Sequence, residues 1–315
     1  PACIVVDTTT NGLAVSVSLS REVMDDIKAL PMLGTNAAST FVAVAAGAVQ
    51  DMHGNPTSGA TAVVPTTTYT ADSTAPTLES FSIDMDAGEL QLTFSETVNG
   101  SSVVPTFLAL YAAAVPAQLV GQPGVSDAAA ATAASLAGDW LAQVTADPSF
   151  ALDSASLAGY DDTTGLVQLT GLELASSTAG FDHVLVLSLL PADLNNIKSR
   201  PALASDANST GIVLRTGFVR DMVQLEQESV PASAGLQSSS FTPDATKPQL
   251  TAFSLDLTAN EGSLGLTFSE PVKAKDLTTS FLILKSGNES EGSAAVQTLR
   301  LTLGSVVDPS NTNFS

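Results

Sequence analysis

The sequence predicts an all-β chain of tandem β-sandwich repeats with short crossing helices, and three observations carry that prediction. Long blocks of sequence recur in the same order along the chain, apolar and polar residues alternate inside those blocks, and turns containing Gly and Ser separate them at short intervals.

Two blocks recur. In the first, residues 13–19 (Leu-Ala-Val-Ser-Val-Ser-Leu) lead to Asp25-Asp26-Ile27-Lys28, Ala38-Ser39-Thr40 and Val49-Gln50-Asp51-Met52. Their echoes are residues 183–189, Asn195-Asn196-Ile197-Lys198, Asn208-Ser209-Thr210 and Val219-Arg220-Asp221-Met222, at an offset of 170 residues from Asp51 to Asp221. In the second block, Asp72, Pro76, Leu78, Phe81-Ser82-Ile83-Asp84 and Leu92-Thr93-Phe94-Ser95-Glu96 return as Asp244, Pro248, Leu250, Phe253-Ser254-Leu255-Asp256 and Leu266-Thr267-Phe268-Ser269-Glu270. The offset there grows from 172 (Asp72 to Asp244) to 174 (Glu96 to Glu270), as small loop insertions produce. Order and spacing are both kept, so the repeat is a unit of architecture. Residues 1–71 read as the closing part of one unit, 72–243 as a complete unit and 244–315 as the opening part of a third.

Within the unit, Leu90, Leu92 and Phe94 alternate with Gln91, Thr93 and Ser95, and Leu13, Val15, Val17 and Leu19 alternate with small or polar residues. That period of two belongs to strands with one wet face. Residues 81–85 and 90–94 flank Asp86-Ala87-Gly88-Glu89, which predicts a hairpin, and the same holds for 253–257 with 264–268. Ser20 is placed to cap a short helix with Val23, Met24 and Ile27 at helical spacing; its echo opens on Pro191. The Ala-rich stretch 126–144, carrying Trp140, predicts a second helix within the unit. A β-solenoid would need repeats several times shorter.

Composition narrows the function. Eleven Lys and Arg against 32 Asp and Glu leave a net charge of −21, which repels phosphate backbones and argues against nucleic acid as a partner. A single cysteine, Cys3, allows no disulfide within the chain and no zinc cluster. The apolar runs, such as 184–190, are far shorter than the roughly 20 residues of a transmembrane helix. The chain opens on Pro1 and closes on Asn313-Phe314-Ser315, and it reads as an internal segment of something longer.

The recurring motifs Asp-x-x-x-Pro-x-Leu, Phe-Ser-Ile/Leu-Asp, Leu-Thr-Phe-Ser-Glu, Asn-Asn-Ile-Lys and the Asp-Met-x-Gly-Asn of residues 51–55 resemble the repeats of algal mastigoneme (flagellar hair) proteins, and more distantly bacterial Ig-like surface domains. The resemblance covers most of the chain. It implies that 1–71, 72–243 and 244–315 belong to successive Ig-like units of a glycosylated extracellular fibre on a cell or flagellar surface. One departure is that Asp221-Met222 continues as Val223-Gln224-Leu225, without the Gly54-Asn55 pair of the first copy. A rebuilt loop is expected there.

Four Asn-x-Ser/Thr sequons stand at Asn99, Asn208, Asn288 and Asn313, acceptors for N-linked glycans in a secreted protein. Thr/Ser clusters at 8–10, 66–68 and 238–240 suit O-linked sugars or ordinary linkers. Carboxylates gather at the unit junctions, Asp51, Asp72 and Glu96 with their echoes Asp221, Asp244 and Glu270, and hard cations such as calcium take oxygen ligands of this kind. There is no EF-hand loop, and Asp84-x-Asp86-x-Gly88 falls in a hairpin turn where Asp is common. No other cofactor is suggested. His53 and His183 lack a neighbouring nucleophile or a second His at ligand spacing, and the pair Asp161-Asp162 is unremarkable in so acidic a chain. The expected role is structural and not enzymatic: a filament segment that self-associates into fibres. The alternative is a cell-surface adhesin or glycan-binding wall protein, for which one Trp and three Tyr supply few stacking platforms.

Overall fold

A computed structural model describes residues 5–6, 11–30, 32–59, 64–112, 166–175, 180–200, 203–230, 236–258, 262–286 and 297–301. The helix expected at 126–144, Asp161-Asp162, Cys3, the cluster 8–10 and the sequons at Asn288 and Asn313 lie outside the described residues. The described residues form strands in several sheets and two α-helices, an all-β fold. Among the described residues, no helix is long and apolar enough to cross a membrane. Packing separates two compact units, Pro1–Thr246 and Lys247–Ser315.

The first unit begins with short strands β1 (Val5–Val6) and β2 (Val17–Ser18), helix α1 (Arg21–Lys28), then β3 (Phe41–Val42), β4 (Ala46–Gln50), β5 (Pro56–Ser58) and β6 (Val64–Pro65). They pair antiparallel as β1–β2, β3–β6 and β4–β5. Of the alternating run 13–19 only Val17–Ser18 is strand, and its apolar residues stay exposed. A strand needs a ladder partner for its N–H and C=O groups, and β1 offers two residues. As expected, Ser20 caps α1, its Oγ accepting from Val23 N at 3.3 Å.

Next come β7 (Leu78–Asp84), β8 (Glu89–Asn99), β9 (Leu108–Ala112), β10 (Leu166–Gln168), β11 (Leu172–Leu174), β12 (Phe181–Leu189), α2 (Pro191–Lys198), β13 (Thr210–Leu214), β14 (Arg220–Asp221) and β15 (Ser240–Thr242). One sheet has the order β11-β12-β8-β7-β15, with β14 also pairing β8; the other is β10-β9-β13. All pairings are antiparallel except β15 with β7. The two sheets enclose one core. Phe81, Ile83, Leu90, Leu92, Phe94, Leu185 and Leu187 come from the first, and Leu108, Leu110, Ile212 and Leu214 from the second, each almost wholly buried. Burying one such side chain is worth about 1.5–3 kcal/mol, so the alternation read in the sequence is what holds the layers together.

The predicted hairpin β7–β8 closes through side-chain chemistry: Asp84 Oδ1 accepts from Asp86 N and Ala87 N at 2.9 and 2.8 Å. Gly88 follows at φ +69°, where an added Cβ would meet Leu194 of α2 at 2.9 Å. The aspartates of Asp84-x-Asp86 therefore shape the turn and tie down the chain after β15, Asp86 accepting from Ala245 N, Thr246 N and Thr246 Oγ1.

The second unit consists, among its described residues, of two antiparallel pairs. Strand β16 (Leu250–Asp256) pairs β17 (Ser263–Phe268), the second predicted hairpin, and β18 (Ile283–Lys285) pairs β19 (Thr298–Arg300).

Candidate functional site

Strand β8 alternates inward residues Leu90, Leu92 and Phe94, and the next position in that rhythm is Glu96. At this point both neighbours let go of the strand. β7 pairs with β8 as far as Phe94 and β14 takes over at Val98. On the other side the register jumps from Asp182↔Val98 to Val184↔Thr93, so Phe94, Ser95, Glu96 and Thr97 stand against His183 alone. A bulge of this kind frees backbone groups and re-aims side chains.

Helix α1 fills the gap. Arg21 donates to the freed Phe94 carbonyl at 2.6 Å and pairs with Glu79 at 3.2 Å. Thr97 Oγ1 donates to the Asp25 carbonyl at 3.2 Å and to its carboxylate at 3.1 Å. The last residue of α1, Lys28, thereby reaches the mouth of the core, where Nζ lies 2.7 Å from Asp72 Oδ2 and donates to Glu96 Oε2.

Three carboxylates converge there. One oxygen each of Asp72, Glu96 and Asp221 lies within 4.8 Å of the other two. Asp221 is 0% exposed and Glu96 7%. Burial pushes the Glu96 carboxyl up despite its bond to Lys28, and burial likewise raises Asp221 against the pull of the Leu225 and Val223 N–H groups. At Asp72 burial also acts upward, but Lys28 and the Thr74 N–H hold the carboxyl below its ordinary value. Lys28 goes up, since the two carboxylates outweigh the effect of its own burial. Glu96 Oε1 and Asp221 Oδ2 are buried and have no hydrogen-bond partner among the described residues. Orphaned carboxylate oxygens of this kind are costly to bury.

The orphan on Asp221 has a cause visible in the repeat. At residues 51–55, Asp51 Oδ1 accepts from His53 N and Asn55 N, both at 2.8 Å, and Asp51 N and Gly54 N bond back across the loop at 2.9 and 3.1 Å. At 221–225, Asp221 Oδ1 accepts from Val223 N and Leu225 N at 2.9 and 2.7 Å, with the matching backbone bonds at 3.1 and 3.3 Å. The loop expected to be rebuilt keeps its shape. Gln224 takes the left-handed conformation of Gly54, at φ 72° against 86°. What differs is the second oxygen. Asn55 Nδ2 donates to Asp51 Oδ2 at 2.8 Å, whereas the Leu225 side chain has nothing to donate.

Of the six junction carboxylates read from the sequence, the fold thus brings together Asp72, Glu96 and Asp221. Asp51 is exposed and occupied with its own loop. Asp244 pairs with Lys198 at 2.9 Å, repeating the Lys28–Asp72 pair one sequence repeat on, while Glu270 belongs to the second unit. Lys28 was missed as a site residue. Its recurrence at the end of both Ile-Lys motifs, in a chain with only 11 basic residues, was the available signal.

The other sites are separate. Asn208 sits exposed on a 3-10 turn, Ala207–Ser209, capped by Asp206, whose Oδ1 accepts from Ser209 N at 2.8 Å. Asn99 ends β8 half-buried, with its Oδ1 accepting from Ser101 N at 3.0 Å. His53 is exposed in the first loop; His183 lies in β12 beside Asp182, with 3.2 Å between Nδ1 and Oδ1. Ser238 is buried and donates to the Ser240 carbonyl, which removes it from the O-linked candidates. The chain matches no protein-family model, and comparison with curated proteins and with solved structures returns no match.

Proposed function

We propose that this chain is a structural segment of an extracellular, glycosylated filament assembled from Ig-like repeats, and that it carries no chemistry of its own. The observation that carries the reading is the recurring junction. Lys28 pairs with Asp72 and, one repeat later, Lys198 pairs with Asp244, so helix and linker meet the same way twice. A bond repeated at each junction is what a fibre of serial units needs, because stability is then added unit by unit along the chain. The resemblance to mastigoneme repeats points the same way. The exposed Asn208, on a turn that leaves its amide accessible, suits a glycan-bearing surface.

The test is glycopeptide mass spectrometry on the native protein. An N-linked glycan at Asn208 is expected, and peptides recovered unmodified at Asn208 and Asn99 alike would exclude an extracellular glycoprotein.

A further inference from the structure

We infer that Asp72, Glu96 and Asp221 form a binding site for a hard divalent cation of calcium's size, set at the seat of α1. An acidic cluster alone would not justify this, since Lys28 already answers part of its charge. The second observation is the pair of buried oxygens that Lys28 does not answer, Glu96 Oε1 and Asp221 Oδ2, in side chains 7% and 0% exposed. Three carboxylates and one ammonium leave two negative charges, which one divalent cation cancels.

The geometry suits calcium. Calcium binds oxygen at about 2.3–2.6 Å, so oxygens mutually within 4.8 Å can share one ion. Magnesium demands near-octahedral ligands at about 2.0–2.1 Å and keeps its waters, which a buried set of three carboxylates serves poorly. The set contains no nitrogen or sulfur ligand, and that disfavours zinc and copper.

The two loops differ by one side-chain donor. In residues 51–55 the Asn55 amide satisfies the second oxygen of Asp51, and that aspartate is exposed. In residues 221–225 the amide is replaced by Leu225, the aspartate is buried, and the freed oxygen belongs to a carboxylate that meets Asp72 and Glu96. The lost donor leaves Asp221 Oδ2 open to an external ligand at a loop that otherwise keeps its bonds. The three ligands come from the lead-in segment, from β8 and from β14, so a bound ion would tie the entry of the unit to its close.

The experiment uses the full chain, stripped with EDTA and titrated with calcium chloride by calorimetry, with melting followed in calcium and in EDTA. Saturable binding and a melting temperature higher in calcium are expected. Asp221→Asn keeps the Oδ1 acceptor for both loop N–H groups and changes only Oδ2; it should weaken binding by roughly tenfold or more. Leu225→Asn restores the donor that Asn55 provides and should weaken binding similarly, while melting in EDTA is no lower than in the parent. That second variant keeps the test decisive even where the first folds poorly. No saturable heat in the parent chain, or undiminished binding in Leu225→Asn, would overturn the site. Magnesium binding as tightly as calcium would overturn the assignment of ion size.

Discussion

The hairpins β7–β8 and β16–β17 are the same object in two settings. Phe81 faces Leu92 and Ile83 faces Leu90 in the first; Phe253 faces Leu266 and Leu255 faces Leu264 in the second. Both slip register at the same place, between Leu78 and Ser80 and between Leu250 and Ala252. Both are locked at the open end by a serine, with Ser95 N donating to Thr77 O and Ser269 N to Gln249 O, each at 2.8 Å. Yet Phe81 is 1% exposed and Phe253 62%. Strands β12 and β13, which close the core of the first unit, have no counterpart among the described residues of the second. Pairing and register are therefore written in the hairpin itself, whereas burial is supplied by segments far along the chain.

Removing the same ring from both copies separates pairing from burial. Phe81→Ala should destabilise the first unit by about 3–5 kcal/mol in chemical denaturation, the cost of a large buried cavity. Phe253→Ala should stay within about 0.5 kcal/mol, as exposed substitutions do. Equal costs would mean that Phe253 is covered in solution.

A second contrast sets the two junction lysines against each other. Lys28→Met strands buried Glu96 and leaves Asp72 without its ion-pair partner, and should cost about 3 kcal/mol, the lower end for breaking a buried pair because the lysine side chain is 14% exposed. Lys198→Met meets an aspartate that is 30% exposed and should cost about 1 kcal/mol or less by the same measurement.

The loops offer a smaller effect of opposite sign. Gln224→Gly restores the residue type found at Gly54 in a left-handed position that costs a non-glycine residue about 1 kcal/mol, and it should raise stability by up to that amount. A loss would show that Gln224 makes a contact outweighing its backbone conformation.

The smallest effect is a pH dependence at Asp86. Bonds from Thr246 and Ala245 hold its carboxyl below the ordinary value of 3.8. A depressed carboxylate contributes stability that is present above its unfolded value and is lost as the pH falls through the folded one. Asp86→Asn should therefore make the stability curve shallower on the acid side, below about pH 4, and leave its shape near neutrality unchanged.

Strands were legible wherever alternation coincided with a local partner. Residues 81–85 and 90–94 announce their hairpin because the turn residues lie between them, and Ser20 announces α1 because capping is decided within one turn of helix. The run 13–19 has the same alternation but forms only two residues of strand, since pairing depends on a neighbour that pattern alone cannot supply. The acidic site was half legible. Repetition marked all six carboxylates, but Asp72 and Asp221 stand at opposite ends of the unit, and only the shared edge of β8 decides that they meet. The bulge at residues 94–97 and the lysine from α1 that it admits have no signature in spacing, because both arise where three strands stop pairing.

Negative-stain imaging of the native protein tests most directly whether the chain builds a fibre from serial units. Filaments with regular beading along their length are expected. Dispersed, uniform particles with no tendency to align end to end would contradict it.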